Sequence, residues 1–66
     1  MKWHNAKIDP RPNDKQTVLV SLHGVYKEVL YIEKENIYVC KEDPAIVLDP
    51  LKTSFYWTEV ISQSNN

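Results

Sequence analysis

The sequence predicts an all-β fold: a small, strongly curved antiparallel meander or barrel-like sheet of four to five strands, with a proline-bounded loop at residues 42–53. Three observations carry this. Val and Ile together number twelve and aromatic residues seven in a chain of 66, the composition of strands rather than helices. Apolar and polar positions alternate with a period of two in the first half of the chain. Turn-forming pairs (His23-Gly24, Asp43-Pro44, Asp49-Pro50) divide the chain into short segments.

The first strand is Thr17 to Leu22, with Val18, Val20 and Leu22 on one face and Leu19 and Ser21 on the other. The turn-rich stretch Asp9-Pro10-Arg11-Pro12-Asn13-Asp14 bounds it upstream. His23-Gly24 is a two-residue connection in which glycine accepts the positive φ of a type I′ turn. The returning strand runs from Val25 to Glu33. A helical reading of this segment fails because Val, Ile and Tyr dominate it and a glycine turn precedes it. Neither of its faces is purely polar, which points to curvature or a covering layer.

Lys34-Glu35-Asn36 forms the next turn, with Asn36 suited to a left-handed conformation. Ile37 to Lys41 is the third strand. The prolines at 44 and 50 remove ladder donors, leaving Ala45-Ile46-Val47-Leu48 as a brief edge strand or a pinned loop. Thr53 to Ile61 is the last strand, and it sets Phe55, Trp57, Glu59 and Ile61 against Tyr56, Thr58 and Val60. Residues 1–61 form a single domain and 62–66 a polar tail.

Size and charge narrow the function classes. A chain of 66 residues and 7.7 kDa has a thin core and limited stability. Its net charge of −1 argues against a dedicated polyanion binder. The charge is uneven: residues 1–15 sum to +2 (four cations, two acids) and residues 16–66 to −3 (four cations, seven acids). No apolar run reaches the roughly 18 residues of a membrane span, and the N-terminus lacks a signal-peptide pattern. Cys40 is the single cysteine, so no internal disulfide or multi-thiolate zinc site is available. These features together predict a cytoplasmic protein without a membrane partner.

Trp3, the turn Pro12-Asn13-Asp14, the strand Gln16-Thr17-Val18-Leu19-Val20 and the closing Ser54-Phe55-Tyr56-Trp57 together form a pattern. In it the chain resembles a family of short uncharacterised phage and prophage proteins, a domain of unknown function. The family's closing Trp is often followed by Met-Pro-Leu-Pro and commonly preceded by His; here Thr58-Glu59-Val60 and Tyr56 stand instead. The resemblance implies a phage or prophage origin and a cytoplasmic setting, and it brings no known activity.

Catalytic signatures are absent from the sequence. There is no Gly-x-Ser-x-Gly, no His-Glu-x-x-His, and one glycine cannot build a phosphate loop. The expectation is therefore a non-catalytic protein without cofactor or metal. Trp57 and Trp3 read first as core residues clasping the two ends of the chain. If Tyr26 and Tyr56 lie on the face away from Val18, Val20 and Leu22, an exposed aromatic surface results, and with Trp3 they are the candidates for a contact surface. The partner is expected to be a protein of the host or the phage, or a second copy of the chain joined through an edge strand. An alternative is a phage counter-defence factor that sequesters a nucleotide or blocks a host nuclease. Single-stranded nucleic acid is a third possibility that the acidic half of the chain disfavours.

Overall fold

A computed structural model of the chain describes residues 2–60. Six strands form one antiparallel sheet: β1 (His4–Asn5), β2 (Thr17–Leu22), β3 (Val25–Ile32), β4 (Ile37–Cys40), β5 (Val47–Leu48) and β6 (Tyr56–Glu59). The spatial order is β1-β6-β2-β3-β4-β5. Strands β2 to β5 follow one another as a meander. β6 then returns to the far side of β2, and β1 lies outside it.

The all-β class holds, with two corrections. There are six strands instead of four or five, because His4 and Asn5 pair with Trp57 and Tyr56 as an additional edge strand. Two polar residues give no alternation by which sequence could mark them. The sheet also does not close as a barrel would: its ends are β1 and β5, two residues each. The last strand is shorter than its apolar alternation suggests, at Tyr56–Glu59. Ile61 and the tail 62–66 lie outside the described residues.

The turns follow from backbone chemistry. His23 (φ 51°) and Gly24 (φ 79°) are both left-handed, as a type I′ hairpin turn requires. Asn36 (φ 54°) closes the β3–β4 turn, where its N–H donates to the Glu33 carbonyl at 3.2 Å. Asp43 and Asp49 each accept a backbone N–H two residues on, from Ala45 at 3.2 Å and Leu51 at 2.9 Å. These Asx turns are the local reason both Asp-Pro pairs break the ladder. A bulge precedes β2: Lys15 N–H donates to the Tyr31 carbonyl at 2.7 Å, and Tyr31 N–H donates to the Gln16 carbonyl at 3.0 Å. Two residues thus oppose one, with Lys15 left-handed at φ 65°.

One face of the sheet is the core. Val18, Val20, Val29, Tyr31, Tyr38, Cys40, Leu48, Phe55 and Trp57 are buried on it, with Ala6 beside them. Register explains the set, because opposed residues share a face: Val18 pairs with Val29, Val29 with Cys40, Tyr31 with Tyr38, Tyr38 with Leu48, and Val20 with Trp57. Tyr38 stands at the centre, tilted against Tyr31 (ring centroids 4.8 Å) and edge-on to Phe55 (5.1 Å).

The cover over this face is also explicable. Going from β5 at one edge to β6 beyond β2, residues 49–55 must traverse β4, β3 and β2, about 19 Å at 4.8 Å per strand. Pro50 and Phe55 are buried along that crossing. The segment before β2 adds Ala6 and Pro12, also buried. Loops on the core face replace the second layer that a sheet normally finds in a helix or another sheet.

Two expectations follow. A Cβ added at Gly24 meets no atom within 4 Å, so the cost of Gly24→Val is backbone strain alone. That strain amounts to about 1–2 kcal/mol for an L-residue held left-handed. Chemical denaturation should show a loss of that size, and an unchanged midpoint would place the turn elsewhere. Trp57 is 4% exposed and Tyr56 49%. Trp57→Ala should cost about 3–5 kcal/mol, comparable to the whole stability of a domain this small. Its amide spectrum should collapse, whereas Tyr56→Ala should keep a dispersed one.

Candidate functional site

The opposite, outer face carries the three aromatic residues singled out from sequence, and the structure brings them together. Tyr56 and Tyr26 both pair with Ser21, so one row across the sheet reads Asn5, Tyr56, Ser21, Tyr26. Ser21 thus stands between the two tyrosines. Tyr26 is 63% exposed and Tyr56 about half exposed.

Trp3 precedes β1 and stacks on Tyr26, ring centroids 5.9 Å apart and planes at 26°. β1 and β3 are separated by β6 and β2, about 14 Å apart at normal strand spacing. The two rings can meet only if both side chains lie down along the sheet instead of standing on it. Thr58 holds the approach in place: its Oγ1–H donates to the Lys2 carbonyl at 2.7 Å, and Thr58 is buried on this otherwise open face. The result is a flat aromatic shelf at the hairpin end of the sheet. Trp3 is half-buried here and packs outside the core, so the clasp joining the chain ends falls to its neighbour. His4 stacks on Trp57 (4.4 Å, 30°).

A second concavity lies at the opposite end, between the bulge and the β3–β4 turn. It encloses about 530 Å³ and is lined by Arg11, Pro12, Asn13, Asp14, Tyr31, Glu33 and Asn36. Most of its polar groups already serve the fold. Tyr31 O–H donates to Asn36 Oδ1 at 2.9 Å, and Glu33 N–H donates to Asp14 Oδ1 at 2.9 Å. The sequence marked this stretch as turns without signalling a cleft, because the bulge that brings Asp14 to Glu33 depends on long-range pairing.

Chemistry elsewhere is sparse. Cys40 is a buried free thiol on the core face. Among the described residues no group of three His, Cys, Asp or Glu side chains could hold a metal ion, and no helix is long and apolar enough to cross a membrane. Tyr38 Oη and Trp57 Nε1 are buried without hydrogen-bond partners among the described residues. Burial raises the Tyr38 phenol well above its ordinary value, and it raises Tyr31 as well; in both, the Arg11 charge partly opposes the shift. Comparison with protein-family models, curated proteins and solved structures finds no match to this chain.

Burial of the two phenols links stability to alkaline pH. A raised folded-state pKa means stability is intact below the unfolded value of about 10 and is lost as pH climbs past it. Melting temperature should therefore hold to about pH 10 and fall beyond. Tyr38→Phe removes an orphaned buried hydroxyl, so it should be neutral or stabilise by about 1 kcal/mol at neutral pH and flatten the alkaline decline. A loss of more than 2 kcal/mol in a denaturation experiment would show that the hydroxyl has a partner.

Proposed function

We propose that the protein is a non-catalytic interaction module, of phage or prophage origin, that recognises a protein partner through the Trp3/Tyr26/Tyr56 shelf. The observation that carries this reading is the stack of half-buried Trp3 on exposed Tyr26 beside a half-exposed Tyr56, in a domain whose core already holds four other aromatic side chains. Clustered exposed rings mark contact surfaces, and Trp and Tyr are the side chains that dominate binding hot spots. Their polar tips tolerate the unbound state. Cytoplasmic residence belongs to the same reading.

Counter-defence by nucleotide sequestration would draw on the Arg11 cleft. Asp14 and Glu33 line that cleft too, and two carboxylates repel a polyphosphate, so the shelf is the better-supported surface. Single-stranded nucleic acid would also stack on such rings, but the acidic balance of residues 16–66 works against it.

The test is capture from a host lysate by the immobilised protein and by the Tyr26→Ser/Tyr56→Ser variant, with folding of both checked by amide dispersion. The wild type should retain a discrete set of proteins, and the variant should lose them at least tenfold. Retention independent of both tyrosines, or no retention at micromolar bait, overturns the reading.

A further inference from the structure

The other half of the outer face is aliphatic, and the aromatic shelf leaves it unexplained. Thr17, Leu30, Val39 and Val47 stand in register across β2, β3, β4 and β5, and Ile32 pairs with Ile37 in the row beyond. Val47 is 46% exposed and the others are partly exposed. These two rows contain no charged residue. An antiparallel sheet with one wet face ordinarily turns polar side chains outward. Here the crossing segment 49–55 covers the opposite face, while on this one Leu30, Ile32, Ile37 and Val39 stay partly exposed and the Lys41 side chain reaches across to Thr17.

Charge and area identify what fits it. In the row on the hairpin side of the patch, Glu28 and Lys41 are neighbours on β3 and just past β4, joined by Lys41 N–H donating to the Glu28 carbonyl at 3.1 Å. Both are exposed, and Lys41 Nζ reaches over the outer face to within 3.4 Å of Thr17 Oγ1. This row thus carries one charge of each sign on adjacent strands. A two-fold axis along the strands, between β3 and β4, sets β3 of each copy over β4 of the other. It places Leu30 over Val39, Ile32 over Ile37, and Glu28 over Lys41 of the second copy, twice. A partner with a single sign of charge would be repelled by one of the two, whereas the surface complements itself.

Four strands by four residues give a footprint of about 250 Å² per copy, and with side-chain relief the two copies bury on the order of 1,000 Å² together. That is the low end of specific interfaces and corresponds to a weak dimer. The alternative of joining edges offers less, since β1 and β5 each present two residues of ladder.

We infer that two copies of this chain pack face to face through the Leu30/Ile32/Ile37/Val39/Val47 patch, with Glu28 and Lys41 exchanged across the two-fold axis. The inference is independent of the shelf, whose Tyr26 stands two rows beyond Leu30 along β3.

Sedimentation velocity from about 5 μM to 1 mM tests it. The wild type should pass from monomer to dimer with a micromolar midpoint. Glu28→Lys and Lys41→Glu, both at exposed positions, should each weaken the dimer at least tenfold, and the double exchange should restore it to within about threefold. Val47→Lys, with its folding verified by amide dispersion, should abolish it. Tyr26→Ser/Tyr56→Ser should leave the midpoint unchanged, which separates this interface from capture by the shelf. A monomer throughout the range, a dimer indifferent to the charge exchange, or one lost with the two tyrosines would each overturn the inference.

Discussion

Val20 on β2 is paired on one side with Lys27, across a two-residue turn, and on the other with Trp57, thirty-seven positions away along the chain. The second pairing is the constraint on which the molecule depends. The hairpin β2–β3 and the turn to β4 are local and would form a meander without it. With β6 beside β2, the chain between β5 and β6 is obliged to cross the sheet, and that crossing supplies Pro50 and Phe55 to the core. β6 in turn offers its outer edge to His4 and Asn5, which delivers Trp3 to the far side. Loss of Trp57 would remove the core's largest side chain and the anchor of both chain ends together.

The same constraint divides the two faces. One crossing segment can cover one side of a sheet, and the elements among the described residues form no second layer on the other. The core face receives the loops and buries Tyr31, Tyr38, Phe55 and Trp57. The outer face keeps a shelf of Trp3, Tyr26 and Tyr56 at the hairpin end and an aliphatic patch at the other. An apolar outer face in a small single sheet is costly for a solitary domain and ordinary for one that works against other surfaces. The two orphaned polar atoms in the core, Tyr38 Oη and Trp57 Nε1, belong to the same economy of size. Rings large enough to fill a thin core bring polar tips that the core has no partners to satisfy.

Much of the architecture is legible in the residues themselves. Alternation in Thr17–Leu22 assigns Val18 and Val20 to the core because a strand sends successive side chains to opposite faces. His23-Gly24 and Asn36 announce their turns because few residues adopt a positive φ at low cost. The same alternation separates Trp57 from Tyr56 correctly. Lys15 breaks that logic: a lysine at φ 65° has no local signature, and its conformation is imposed by the bulge against Tyr31. His4 and Asn5 are invisible as a strand for a similar reason, since two polar residues become β only by finding an edge to pair with.

Taken alone, the chain's residues determine an all-β domain, the positions of its turns, and the opposite faces of Trp57 and Tyr56. These are short-range properties, set by propensity, by the period of two and by φ restrictions, and they need no knowledge of distant neighbours. Tertiary structure alone decides that the sheet has six strands and open edges, and that Trp3 lies on Tyr26 rather than in the core. It also decides that Tyr26, Tyr56 and Val47 stay exposed on the outer face. Each of these turns on where β6 returns, and strand pairing across thirty or more residues is a choice among partners of similar local chemistry that is settled only when the whole core is assembled.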